Sequence, residues 1–287
     1  MPSLAKKGYA KPDMLRDTAW LADHLDDPSL CLVDCESVAA YERAHIPGAR
    51  SLAAAITVPT KRESYLLKDP ADGTFIMKPD LLAQVMGRLG IGDDTVVYAY
   101  DGHGCHYAAR FWWVLRYYGH PQAHLIDGGW GKWHNEGRPS SRVNVKSAPA
   151  VFTPRPQTQY AVTAEELRDS RGKPGSVILD ARTAAEYVGD NDRGTARGGH
   201  VPGAVHLEWL NALTQDANQE FRPASELLPM YARVGVTPDK EVLTYCHGNI
   251  RSSHTAFTLA LLGFEQVRNY EGAWAEWGNR LDLPIER

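Results

Sequence analysis

One pattern occurs twice in this chain, and the duplication constrains its architecture before any single residue is weighed. His45-Ile46-Pro47-Gly48-Ala49 has a twin in His200-Val201-Pro202-Gly203-Ala204. Gly90-Ile91, ahead of the run Val96 to Tyr100, matches Gly235-Val236, ahead of a run ending at Tyr245, at a constant offset of 145 residues. Asp127-Gly128-Gly129-Trp130 with Trp133 matches Tyr270-Glu271-Gly272-Ala273-Trp274 with Trp277. Near the start of each copy, Thr18 to Leu21 leads to Cys31 to Asp34, and Thr163 to Leu167 leads to Val177 to Asp180. Thr163 with Glu166 reads as a capping box that opens a helix. The period is too long for a solenoid unit, so two homologous domains are expected. The join falls in the proline-bearing, weakly periodic stretch around Gly137 to Gln159. The expected division is a first domain over 1–140, a linker over 141–158 and a second domain over 159–287.

Within each copy, short apolar runs alternate with helical segments. That order gives an α/β fold in which parallel strands are joined by crossover helices, with helices on both sheet faces. The two His-x-Pro-Gly-Ala stretches read as structural turns, proline fixing φ and glycine permitting the reversal. Trp130, Trp133, Trp274 and Trp277 are expected to anchor the last helix of each domain.

Composition narrows the function classes. The chain is 43% hydrophobic and 23% charged, an ordinary globular balance, and its net charge of -4 points to neither nucleic acid nor a membrane surface. Four cysteines are too few for a disulfide scaffold in 287 residues. The spacing of Cys31 and Cys35 is not that of a zinc knuckle, so no zinc site is assigned, and no cofactor is expected. The N-terminal residues lack the apolar stretch of a secretory signal, and no apolar run is long enough to cross a bilayer. A cytoplasmic protein with reduced thiols is the expectation.

The chemistry concentrates in Cys246-His247-Gly248-Asn249-Ile250-Arg251-Ser252-Ser253. Before it lies Glu241 to Tyr245, rich in β-formers. After it lies Thr255 to Leu262, almost continuously apolar, as in a buried helix. Cys246 therefore sits on a tight strand-to-helix turn whose backbone N–H groups, with the helix dipole, favour negative charge. A thiol there ionises more easily and a bound oxyanion is held. Gly248 and Asn249 tolerate the positive φ that curls such a loop, and Arg251 adds a fixed charge. At the same offset the first copy has Asp101, in Asp101-Gly102-His103-Gly104-Cys105-His106. A carboxylate cannot serve as a sulfur nucleophile, so the first domain is expected to be catalytically silent. Cys105 aligns with Ile250 and is a weak candidate for a second redox thiol.

Four motifs carry a family resemblance: Asp180-x-Arg182, Gly199 to Ala204, the Cys246 loop, and Gly272-Ala273-Trp274-x-x-Trp277-Gly278. Together with the duplication, they make the chain resemble the two-domain rhodanese sulfurtransferases over nearly its whole length. The resemblance implies tandem rhodanese-like domains with the cysteine in the C-terminal copy alone. It implies that Cys246 takes a sulfane sulfur from a donor as a covalent persulfide, which a thiophilic acceptor such as cyanide or a thiol then removes. A protein could also be the acceptor. By the same resemblance, Arg182 binds the anionic donor and Arg197 is a second anion ligand. His247, Gly248, Asn249, Ile250, Arg251 and Ser252 form the rest of the donor site.

The loop is more similar to bacterial thiosulfate enzymes than to mercaptopyruvate enzymes, whose Cys-Gly-Ser-Gly-Val-Thr loop has a serine where Gly248 stands. Thiosulfate, a compact dianion, suits N–H groups and a guanidinium. 3-Mercaptopyruvate is the alternative donor. Two remoter classes are a cysteine phosphatase, whose loop has one residue more between cysteine and arginine, and a non-catalytic binding module of the same fold.

Overall fold

The computed structural model describes residues 4–60 and 66–287. The chain forms two compact units. The first contains a five-stranded sheet built from β1 (Leu15–Arg16), β2 (Cys31–Asp34), β3 (Arg50–Ser51), β4 (Val97–Tyr100) and β5 (Ala123–Ile126). Their spatial order is β1-β5-β4-β2-β3 and all pairings are parallel. The second repeats the plan with β6 (Ala161–Val162), β7 (Ser176–Asp180), β8 (Val205–His206), β9 (Glu241–Tyr245) and β10 (Val267–Tyr270) in the order β6-β10-β9-β7-β8. Again every pairing is parallel. The expected α/β fold, two parallel sheets flanked by helices, is the observed one.

Strand β9 follows from Val-Leu-Thr-Tyr, a β-branched and aromatic run whose side chains are buried on both sheet faces, as a helix-covered sheet requires. The helix Arg251–Leu261 that follows it packs on β9 and β10, and its residues from Ser252 onward are buried. It begins four residues earlier than the apolar run alone suggests, because Arg251 to His254 continue the turn out of the loop. In open sheets of this kind, ligands meet the carboxyl ends of strands where the chain order reverses. Cys246 lies at the carboxyl end of β9, beside β7, at that reversal.

The two cores are built alike. Tyr100 and Tyr245 are buried, and each hydroxyl accepts the N–H of its own turn, Ile46 at 3.0 Å and Val201 at 3.1 Å. Trp133 and Trp277 are fully buried and donate their indole N–H groups to Pro139 and Pro284 carbonyls. Trp274 is likewise buried, whereas Trp130 is only partly so. His45 stacks on Tyr41 and His200 on Tyr187, each ring bonded to that tyrosine's carbonyl. Both histidines thus hold the His-x-Pro-Gly turns.

The division of the chain is less simple than a linear cut. The first unit takes 12–157, so the expected linker packs with it: Arg155 and Gln157 donate backbone N–H groups to Tyr118 and Tyr117. The first unit also takes 214–221, where Phe221 N–H meets Asp127 Oδ1 at 2.8 Å and Glu220 pairs with Lys132 at 3.3 Å. The second unit takes 5–11, where Lys7 O accepts from Ala224 and Lys11 N–H reaches Leu261 O. Among the described residues, no helix is long and apolar enough to cross a membrane.

Candidate active site

Cys246 is 1% exposed at the end of β9. Its carbonyl accepts the N–H of Trp274 at 2.8 Å, and the His247 carbonyl accepts that of Ala275 at 2.9 Å, so the loop is tied to the helix Ala273–Trp277. From inside, Asn249 pins it. Asn249 adopts φ +67°, the left-handed conformation expected of it. Its amide donates to Tyr270 O and accepts from Ser253 and Asn269. Gly248 does not use positive φ. A Cβ placed there would meet no atom within 4 Å, so the loop is open on that side.

The thiol is surrounded by groups that stabilise its anion. Ser252 Oγ donates to Cys246 Sγ at 3.5 Å. Burial alone would push the thiol up. The Arg251 charge, the Ser252 hydroxyl and the N–H groups of Ser252 and Gly248 outweigh burial and leave it below its ordinary value. Cys31 and Cys35 show the contrast: burial raises both, and no such set of donors offsets it.

Arg251 is held in turn by Glu186, a residue that the sequence reading missed. Its Nη1 and Nη2 donate to the two carboxylate oxygens at 2.6 and 2.7 Å. Thr183-x-x-Glu186 is visible in the sequence as a capping box, and it does cap the helix Ala184–Tyr187. Nothing local shows that the same carboxylate reaches across to Arg251.

The first unit contains the same cradle with an occupant of its own. Asp101 Oδ1 accepts the N–H groups of His103 and Cys105, and Oδ2 those of Tyr107 and Ala108, at 2.6–3.0 Å. His103 and Tyr107 are the counterparts of Gly248 and Ser252, whose N–H groups serve the thiol. The turn is therefore an anion cradle in both copies, and in the first a fixed carboxylate fills it. Cys105 is buried, with its thiol directed at Ile126 O at 3.2 Å.

Two expected donor ligands already have protein partners in this structure. Arg182 is 1% exposed, and its guanidinium bonds both oxygens of Asp180 and the carbonyl of Gly199. It also lies over the Trp274 ring at 4.3 Å. Arg197 donates to the carbonyls of Trp277, Gly278, Arg280 and Leu283. Both hold the fold; an anion would have to break those bonds. Of the other expected residues, Arg251 and Ser252 flank the thiol. Gly248, Ile250 and His247 lie on the loop and are half-buried, while the Asn249 side chain faces the interior. Among the described residues, no group of His, Cys, Asp and Glu is arranged to hold a metal ion.

The comparisons with known proteins agree with this architecture. The family profile described as "Rhodanese-like domain" matches residues 17–136 and again 163–280. The "Sulfur carrier protein TtuD" of Thermus thermophilus is 34% identical over 296 residues, covering 98% of this chain and 99% of that one. A "Thiosulfate sulfurtransferase" of Pseudomonas aeruginosa is 36% identical over 270 residues, covering 93% and 94%. Among solved structures, the anaerobic ergothioneine biosynthesis enzyme from Chlorobium limicola, in complex with trimethyl histidine, superposes with a TM-score of 0.83 at 22% identity. That match covers 96% of this chain and 71% of that one, and it speaks for the fold alone.

Proposed function

The chain belongs to the rhodanese family of sulfurtransferases, and from that premise we propose that it moves a sulfane sulfur from thiosulfate to a thiophilic acceptor through a persulfide on Cys246. The observation that carries this reading is the lowered thiol of Cys246 among N–H groups, Ser252 and Arg251. The thiolate attacks the outer sulfur of thiosulfate. A Cys246 Sγ–S bond forms, the S–S bond of thiosulfate breaks, and its electron pair leaves with sulfite. The terminal sulfur of the persulfide is again anionic, so the same donors stabilise it. Cyanide then attacks that sulfur, thiocyanate departs, and the electron pair of the broken bond returns to Cys246.

The relative named as a sulfur carrier supports a second reading of the last step, in which a protein is the acceptor. Thiosulfate is favoured as donor over 3-mercaptopyruvate because Gly248 provides no hydroxyl and Arg251 stands beside a compact N–H cradle. Intact mass spectrometry of thiosulfate-treated protein tests the intermediate. One added sulfur atom, absent in Cys246→Ser and removed by cyanide, is expected. A protein that never gains it, yet produces thiocyanate, overturns the persulfide route.

A further inference from the structure

With Arg182 and Arg197 engaged elsewhere, the anionic donor lacks the second cation that the family resemblance assigned to it. The loop Asp190 to Gly194 contains one. Arg193 is half-exposed, and its Nε lies 3.8 Å from Glu186 Oε1, the oxygen that also accepts from Arg251 Nη2 at 2.7 Å. The two guanidinium groups thus share one carboxylate oxygen. No hydrogen bond from the Arg193 guanidinium to a described residue competes with that contact.

The backbone fixes Arg193 in place. It adopts φ +51°, a conformation disfavoured for a residue with a Cβ. Its N–H and that of Gly194 are held by Asn191 Oδ1 and Asp192 Oδ1. Two residues on, Thr195 Oγ1 accepts the indole N–H of Trp274, the residue whose backbone N–H holds the Cys246 carbonyl. The loop is therefore linked to the thiol twice, through Glu186 and Arg251, and through Thr195 and Trp274.

Charge gives this placement a purpose. The Cys246 thiolate, Arg251 and Glu186 sum to one net negative charge, which repels a dianionic donor. A second cation on Glu186 restores balance on the side open to solvent. Asp190 and Asp192 on the same loop weaken any long-range field, so the effect is a short-range contact.

Resting on the sulfurtransferase reading above, we propose that Arg193 is a specificity-determining residue that takes the terminal oxyanion group of the donor while the sulfane sulfur meets Cys246. Arg193→Gly separates this role from a structural one, because glycine suits the φ and removes only the charged side chain. With thiosulfate, the donor kcat/KM is expected to fall about ten- to a hundredfold, through KM, at an unchanged or raised urea midpoint. Discharge of preformed persulfide by cyanide should proceed at the wild-type rate. Arg193→Lys should recover much of the donor efficiency and Arg193→Glu should lose more. Unchanged donor efficiency in Arg193→Gly overturns the assignment, as does an equal loss in both half-reactions. A wild-type protein that gains no sulfur from thiosulfate overturns the parent reading, and this inference with it.

Discussion

Glu186 holds Arg251 with both carboxylate oxygens, at 2.6 and 2.7 Å, and is itself 1% exposed. Burial alone would raise its carboxyl. The bonds and charge of Arg251, with Thr183, outweigh burial and hold it at about 2. A lowered carboxyl contributes stability that is present above its unfolded value and is lost as pH falls through the folded one. The unfolding midpoint should therefore drop between about pH 4.5 and pH 2. Glu186→Ala leaves a buried guanidinium without its partner and should cost about 3–5 kcal/mol at neutral pH. Urea titrations of both proteins across the acid range check this. An acid slope that survives in Glu186→Ala would place its origin elsewhere.

Asp101 fills the N–H cradle of the first unit with its own carboxylate. Removing it strands four N–H groups in a buried turn. Asp101→Ala should lose about 2–4 kcal/mol of stability, with thermal unfolding as the readout. Sulfur transfer by Cys246, normalised to folded protein, should persist. If activity disappears while the protein remains folded, the first copy has a part in the reaction.

The duplication, the parallel α/β order and the cysteine turn were legible because each has a local or periodic signature. The capping box at Thr163 and the strand Glu241–Tyr245 lie where their residues predict. What was not legible depends on distance. Arg182 has the right residue type for an anion ligand, and only the folded chain shows it closed over Asp180. Glu186 looks like a cap, and its second task joins residues 65 apart. The placement of 5–11 with the second unit and 214–221 with the first leaves no trace in periodicity, since pairing partners are far apart in the chain, as Phe221 and Asp127 are at 94 residues.

The first unit has a buried carboxyl with the opposite behaviour. Asp34 is the counterpart of Asp180, but Glu36 stands where Arg182 would neutralise it. Burial, with the negative charges of Glu36 and Asp101, pushes Asp34 up to about 7 despite the Tyr100 hydroxyl and the Glu36 N–H. A raised carboxyl stabilises the fold fully below its unfolded value, and that contribution is lost as pH rises through the folded value. Stability should thus decline between about pH 4 and pH 7, by on the order of 3 kcal/mol from this group. Asp34→Asn should flatten the decline. Equal slopes for wild type and Asp34→Asn in urea midpoints over that range would dismiss the effect.

The thiol of Cys246 offers the most direct test of the site. Its anion is favoured first by the Arg251 charge, then by the Ser252 hydroxyl and the loop N–H groups, all against burial. Alkylation by iodoacetamide as a function of pH reports the thiolate, so its midpoint should fall below the value of about 8.5 for free cysteine. Arg251 cannot be removed alone, because Glu186 would remain as an uncompensated buried charge beside the loop. Replacing both, Arg251→Met with Glu186→Gln, deletes the pair while keeping side-chain volume. That double variant should raise the midpoint by about one unit or more. Ser252→Ala should raise it by less, since the hydroxyl is one donor among several. Mass mapping of the labelled protein confirms that Cys246 is the residue titrated. A wild-type midpoint at or above that of free cysteine would remove the electrostatic basis for its role as nucleophile. A double variant with the wild-type midpoint would leave the N–H cradle and Ser252 as the groups that set it.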